Sequence, residues 1–179
     1  HIIRWIRANF FFPDARQFFI KPAIRLVKKR LTKQPTNWLI TTGPPQSMHL
    51  VGYAFRKTSD LQWLADFRDP WSQFFVNHEL PMMSFVRNRH KRIEQQVVSA
   101  ADCVVTTSPS LSAYFKAYNS SVVSIFNGYE KPLEGSLQQD FTMTYAGALK
   151  SNQHIETVFS ILTSSLSINI PWAASQAIL

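Results

Sequence analysis

The sequence lacks the features that mark several large classes of protein. It has no run of about 18 apolar residues that would span a membrane, and its first residues lack the charged-then-apolar pattern of a secretory signal. No G-x-G-x-x-G, P-loop or G-x-S-x-G sequence occurs, and no Cys/His set has zinc spacing. Nothing resembles an RNA-binding aromatic platform or a helix-turn-helix. We therefore expect no metal, no cofactor, no nucleic-acid partner and no nucleophile–base hydrolase.

Cysteine is almost absent. Cys103 is the single cysteine among 179 residues, which excludes an internal disulfide and fits a reducing compartment. It sits in an apolar run, so we interpret it as a small buried core residue. Apolar residues make up 45% of the chain, which is enough for the core of one domain, or of one domain and part of another.

Positive charge is in excess, with a formal net charge of +8. It is concentrated in two clusters, which are Lys21, Arg25, Lys28, Lys29, Arg30 and Lys33, and then Arg87, Arg89, His90, Lys91 and Arg92. This balance favours an anionic partner such as a phosphate, an anionic lipid or a nucleic acid. Each cluster alone is also typical of a solvated helix face. The first lies on an amphipathic stretch from Ala15 to about Leu31 that would suit a membrane surface or a helix packed on a sheet.

Strand and helix patterns alternate at short spacing, which predicts an open, mostly parallel, Rossmann-like α/β sheet. Predicted strands cover 37–42, 61–66, 101–107, 121–126 and 141–146, and predicted helices cover 46–57, 81–100, 109–118 and 151–162. Residues 131–140 are polar and predict a linker between a first domain, 1–130, and the start of a second, 141–179.

The stretch from Leu61 to Trp71 combines an apolar, aromatic strand with a cluster of charges at its end. Asp66, Arg68 and Asp69 lie among Phe67 and Trp71, and charges beside large aromatic rings are costly unless they pair or face a ligand. An open parallel sheet binds ligands at the carboxyl ends of its strands. We therefore predict that this strand end carries the functional site.

Three other predicted strands also end in polar or turn-forming residues, and all four ends should share one edge of the sheet. The candidate site residues are Gly43, Ser47, His49, Asp66, Arg68, Asp69, Ser108 and Asn127. Two helices begin at this edge, where their free N–H groups suit anionic oxygens. Each residue also has a structural alternative: Arg68 and Asp69 as an ion pair, His49 as a packed histidine, and Asn127 as a turn residue.

Three segments resemble the amino-terminal half of a family 4 glycosyltransferase, a family with the two-domain GT-B fold. They are Phe12-Pro13-Asp14-Ala15-Arg16, Thr41-Thr42-Gly43-Pro44-Pro45-Gln46-Ser47-Met48-His49-Leu50-Val51-Gly52 and Trp63-Leu64-Ala65-Asp66-Phe67-Arg68-Asp69-Pro70-Trp71, with weaker matches from Ala101 to Ser108 and at Asn127-Gly128-Tyr129-Glu130. The resemblance covers about residues 10–150. The second domain's acidic donor motif is missing, Ala148 follows Gly147 where a basic residue is usual, and Glu130 replaces an aspartate.

The resemblance implies transfer of a sugar from a nucleotide-sugar donor to a saccharide or lipid-linked acceptor, with retention at the anomeric carbon and without a metal. Arg68 would then steady the donor phosphate or an acceptor oxygen, and Asp69 would orient it or bind a hydroxyl. The substrate-binding residues would be Gly43, Ser47, His49, Asp66, Ser108 and Asn127. The parent protein would work in the cytoplasm, at the inner face of the membrane, in polysaccharide synthesis.

The same resemblance implies that the chain is a fragment, so we expect it to lack transferase activity alone. The competing hypothesis is a non-catalytic α/β module that holds an anionic partner on its basic faces.

Overall fold

The computed structural model describes residues 2–73 and 80–128, together with Thr157, Ser160, Ile161 and Ser164. The chain divides into two compact units, His1–Glu130 and Lys131–Leu179. In the second unit the four described residues are helical. The predicted linker at 131–140 and the predicted strand at 141–146 lie outside the described residues. So do Glu130, Gly147 and Ala148, on which the departures from the family pattern depend.

Nine regular elements make up the described part of the first unit. In chain order they are α1 (Ile2–Phe10), α2 (Ile20–Lys33), β1 (Trp38–Gly43), α3 (Ser47–Arg56), β2 (Gln62–Phe67), α4 (Ser84–Ala100), β3 (Cys103–Thr106), α5 (Pro109–Lys116) and β4 (Val122–Ser124). Within the described ranges, no helix is long and apolar enough to cross a membrane.

The four strands form one sheet in the order β1-β2-β3-β4, and every neighbouring pair is parallel. Gly43 pairs with Phe67, Phe67 with Thr106, and Thr106 with Ser124. The carboxyl ends of all four strands therefore lie in one row. This confirms the predicted open parallel α/β sheet of Rossmann-like type.

One face of the sheet forms the main core. Trp63, Ala65 and Phe67 of β2 alternate toward this face and are fully buried, in the same apolar cluster as Val97 of α4 and Phe115 of α5. Helices α3, α4 and α5 all contribute residues to this cluster or pack against it, as right-handed crossovers between consecutive parallel strands would predict. The intervening strand residues are more exposed: Ile40 and Val123 keep 65% and 49% of their surface. Helix α2 packs against α3 through a second apolar cluster that includes Ala23, Val51 and Phe55.

The amino-terminal region differs from the sequence prediction. The predicted helix from Ala15 begins only at Ile20, after a 3-10 turn at Gln17–Phe19. This start places Pro22 in the first helical turn, where a missing N–H costs little. Helix α1 covers Ile2–Phe10, for which we made no secondary-structure prediction from the sequence.

Candidate functional site

A hollow of about 260 Å³ opens at the carboxyl edge of the sheet, and we call it the edge hollow. Its lining residues lie at or just after the carboxyl ends of three strands and are Thr42, Pro44, Arg68, Asp69 and Asn127. The structure therefore brings together Arg68, Asp69 and Asn127, which lie far apart in the sequence. Each of the three had been predicted from its position at the end of a strand.

The backbone of Arg68 is fixed on both sides of β2. Its N–H donates to Gly43 O at 3.0 Å, and its carbonyl accepts from Thr107 Oγ1 at 2.8 Å. These bonds tie the residue after β2 to the last residue of β1 and to the residue that follows β3. The Arg68 side chain is exposed. A flexible guanidinium thus projects from a well-anchored backbone position.

Arg68 and Asp69 do not form an ion pair. Among the residues that the structure describes, the ion pair is Arg56 with Asp102, at 3.1 Å. A guanidinium and a carboxylate that both line the hollow without bonding to each other remain able to bind a ligand. This removes one structural alternative for the two residues and leaves their functional roles as a prediction.

Asp66 lies on the sheet face away from the main core. Thr42 Oγ1 donates to Asp66 Oδ2 at 2.8 Å, across the pair that these two residues form in the β1–β2 register. Because Thr42 also lines the edge hollow, this bond fixes one wall of the hollow to the neighbouring strand. Asp66 therefore supports the hollow through Thr42 and is not among the residues that line it.

His49 lies in the core. Its ring is fully buried and stacks on Phe67, and its Nδ1 is 3.0 Å from Thr41 Oγ1. Thr41 Oγ1 already accepts from Trp63 Nε1 at 2.9 Å, so its hydroxyl hydrogen can be donated to Nδ1. Burial lowers the pKa of His49 from 6.5 to about 3. The imidazole is therefore neutral near pH 7. His49 is packed in the core, as the structural alternative proposed, and it does not line the edge hollow.

Ser47 is the first residue of α3 and Ser108 is the N-cap of α5, the two helices that begin at this edge. Asp14 Oδ2 accepts from Ser47 N at 2.8 Å, and Ser108 Oγ accepts from Leu111 N at 3.3 Å. Both helix N-termini therefore already have a side-chain acceptor, which leaves fewer N–H groups for an anionic ligand than we predicted. Asp14 caps α3, which begins 33 residues later in the chain.

Glu94 is a buried carboxylate on α4 that we did not predict from the sequence. Its side chain keeps 1% of its surface and accepts from Trp71 N at 3.2 Å, from Ser72 N at 3.0 Å, and from the hydroxyls of Ser72 and Tyr114. Burial raises the pKa of Tyr114 to about 12, with Glu94 contributing, so its phenol remains a donor. Glu94 thereby holds the segment that follows Arg68 and Asp69. Glu94 shares the inward face of α4 with Val97 and Val98, and this helical spacing is the signal in the sequence that indicates its burial.

The described residues contain no group of three or more His, Cys, Asp or Glu side chains that could hold a metal ion. The chemistry available at the edge hollow is that of a guanidinium, a carboxylate and an amide, which can bind phosphate oxygens and sugar hydroxyls. No protein family, curated protein or solved structure matches the chain.

Proposed function

We propose that the edge hollow is part of the active-site cleft of a retaining glycosyltransferase, and that this chain is a portion of that enzyme. The hollow would receive a nucleotide-sugar donor and a saccharide or lipid-linked acceptor, at the cytoplasmic face of a membrane. The observation that carries the proposal is the convergence of Arg68, Asp69 and Asn127 on one hollow at the carboxyl edge of a parallel sheet.

The chemistry of the three side chains is consistent with this role. Sugar transfer from a nucleotide donor builds negative charge on the departing diphosphate, and a guanidinium stabilises such oxygens through short charge-assisted bonds. In this proposal Arg68 contacts phosphate oxygens, Asp69 accepts from a sugar hydroxyl, and Asn127 donates to or accepts from the sugar. We expect the chain alone to bind but not to transfer.

Calorimetric titration of the full chain with a panel of nucleoside-diphosphate sugars tests the proposal. Arg68→Gln should weaken binding about tenfold or more, because one charge-assisted contact is lost. Lys116→Gln is the matched control, since it removes the same charge from an exposed position at the end of α5, and it should change affinity less than about twofold. Equal affinities for the two variants would contradict the proposal.

The alternative is a module that binds an anionic partner through its basic helices. The exposed outer side of α2, with Arg25, Lys28 and Lys29, favours it. Binding governed by such a surface should weaken steeply as salt rises, and it should depend on the α2 lysines and not on Arg68. Titration of Lys28→Gln/Lys29→Gln at two salt concentrations separates the two functions.

A further inference from the structure

A second cavity, of about 690 Å³, lies beside the edge hollow, and Pro44 lines both. We call it the arginine pocket. Its walls come from α1, the segment after α1, the turns that follow β1 and β2, and α4. The residues on which its chemistry depends are Arg4, Arg7, Asp14, Arg16, Trp71 and His90. Its size is within the range of small-molecule binding sites.

Positive charge predominates in the arginine pocket, with three guanidiniums and one carboxylate in its lining. The carboxylate, Asp14, is occupied by backbone groups: Oδ1 accepts from Arg16 N and Oδ2 from Ser47 N, each at 2.8 Å. Arg4 makes a further contact of its own. The inference therefore depends on Arg7 and Arg16, whose exposed side chains converge on the cavity from different segments.

His90 adds a hydrogen-bond donor to this lining without adding charge. Trp71 Nε1 donates to His90 Nδ1 at 2.9 Å, which leaves Nε2 as the N–H group of the neutral ring. The pKa of His90 is lowered to about 4, mainly by burial and also by the charge of Arg89, while Asp14 opposes the shift. The ring is therefore neutral at physiological pH, and the guanidiniums supply the positive charge.

The rest of the lining is mostly carbon. Four prolines contribute to it, and proline has no backbone N–H to offer an anion. They are Pro13, Pro44, Pro45 and Pro70. Recognition of a charged group in this cavity therefore depends on the arginine side chains, and the walls suit a carbon-rich portion of the same ligand.

We propose that the arginine pocket binds a phosphate or diphosphate ester through Arg7 and Arg16, with the carbon-rich part of the ester against the proline walls. Guanidinium groups match phosphate oxygens with two parallel N–H donors, and two of them on one cavity favour a group with more than one negative charge. The inference does not require sugar transfer. If the proposed function holds, this site would receive a phosphorylated acceptor next to the donor.

The ester could be a membrane lipid or a soluble compound, and α1 bears on that choice. Ala8 is its buried residue, whereas Ile2, Ile6 and Phe10 recur every four positions and keep 75%, 42% and 63% of their surface. At 100° per residue this apolar stripe lies opposite Ala8. The helix that supplies Arg7 to the pocket thus presents an apolar face to solvent, as a helix at a membrane surface does.

Nitrogen-15 spectra of the arginine side chains test the proposal on the full chain. One series titrates inorganic diphosphate and then glucose 1-phosphate in solution, and another adds neutral phosphatidylcholine vesicles with or without farnesyl phosphate. The Arg7 and Arg16 signals, assigned from single Arg→Lys variants, should shift and saturate with at least one phosphate probe. Inorganic diphosphate reports on the phosphate-binding groups that both kinds of ester would use. A response to farnesyl phosphate without one to glucose 1-phosphate identifies a lipid ester, and a response to glucose 1-phosphate identifies a soluble ester.

Matched variants separate the pocket from general charge. Arg7→Gln/Arg16→Gln should weaken phosphate binding about a hundredfold, at about tenfold for each charge-assisted contact. Lys57→Gln/Lys116→Gln removes the same charge from exposed positions at the ends of α3 and α5 and should change it less than about threefold. Equal losses in the two variants, or saturation without any shift of the Arg7 and Arg16 signals, would overturn the proposal, as would no binding of any phosphate probe.

Discussion

The imidazole of His49 stacks on the ring of Phe67, with centroids 4.1 Å apart and planes 22° apart. Phe67 is the last residue of β2, so this contact joins α3 to the strand that leads directly to Arg68 and Asp69. The His49 ring is fully buried, and burial lowers its pKa to about 3, so the ring in this stack is neutral near pH 7. Protonation would place a charge in the core, beside the strand that ends at the sheet edge.

Stability should fall as the solution becomes acidic. Burial lowers the pKa of His49 to about 3 and that of His90 to about 4, against 6.5 for an exposed histidine. Between these values the unfolded chain binds protons that the folded chain does not, so their contribution is complete above about pH 6.5 and is lost as pH falls toward 4 and 3. Relative to neutral pH, each of the two histidines lowers the free energy of unfolding by roughly 2 kcal/mol at about pH 5.

Urea unfolding near pH 7.5 and near pH 5 measures this loss. The variant His90→Gln keeps an acceptor for Trp71 Nε1 but removes one titrating group. We expect it to lose about 2 kcal/mol less than the wild type between the two pH values. If the wild type and His90→Gln lose the same free energy of unfolding between the two pH values, His90 is not held neutral by the fold.

Gly43 should not tolerate a side chain. A Cβ at this position would lie 2.5 Å from His49 Nε2 and 3.0 Å from Gln46 Oε1, and the stacked His49 ring has little room to move. Gly43→Ala should lower the free energy of unfolding by about 1–3 kcal/mol. The matched control is Gly128→Ala, whose Cβ would meet nothing within 4 Å and should change stability by less than about 0.5 kcal/mol. Similar denaturation midpoints for the two variants would contradict the claim that the His49 ring leaves no room for a side chain at Gly43.

Glu94 should be required for the structure of the segment after β2. Glu94→Leu removes the acceptor of Trp71 N and Ser72 N, and each buried polar group that loses its partner costs about 1–3 kcal/mol. We expect a loss of about 2–5 kcal/mol in urea unfolding. Gln96→Leu, a similar change at an exposed position of the same helix, should have little effect. Unchanged stability of Glu94→Leu would show that its hydrogen bonds contribute nothing net.

The sequence was sufficient to predict the sheet because its signals are local. Apolar strands such as 62–67 end in charges or turn residues, and the helix at Ser108-Pro109 has a cap and a proline at its first position. Parallel topology then places the strand ends at one edge. That reasoning predicts that Arg68, Asp69 and Asn127 share one edge of the sheet, and the structure places all three on the edge hollow.

Long-range contacts could not be predicted in the same way. The bond from Ser47 N to Asp14 joins residues 33 positions apart, and the bond from Trp71 N to Glu94 joins residues 23 apart. No local pattern encodes either pairing. The arginine pocket could not be predicted for the same reason, because Arg7 and Arg16 line one cavity together with residues that lie far from them in the sequence, such as Pro44 and His90.

The central claim is that the edge hollow is the ligand site, and the most direct measurement follows the Arg68 side chain itself. The chain is titrated with a nucleoside-diphosphate sugar while the Nε–H signal of Arg68, assigned from Arg68→Lys, and the side-chain amide of Asn127 are recorded. We predict saturable shifts of both signals at the same ligand concentration. Saturation that moves only Arg7 and Arg16, or no movement at Arg68, would contradict the claim.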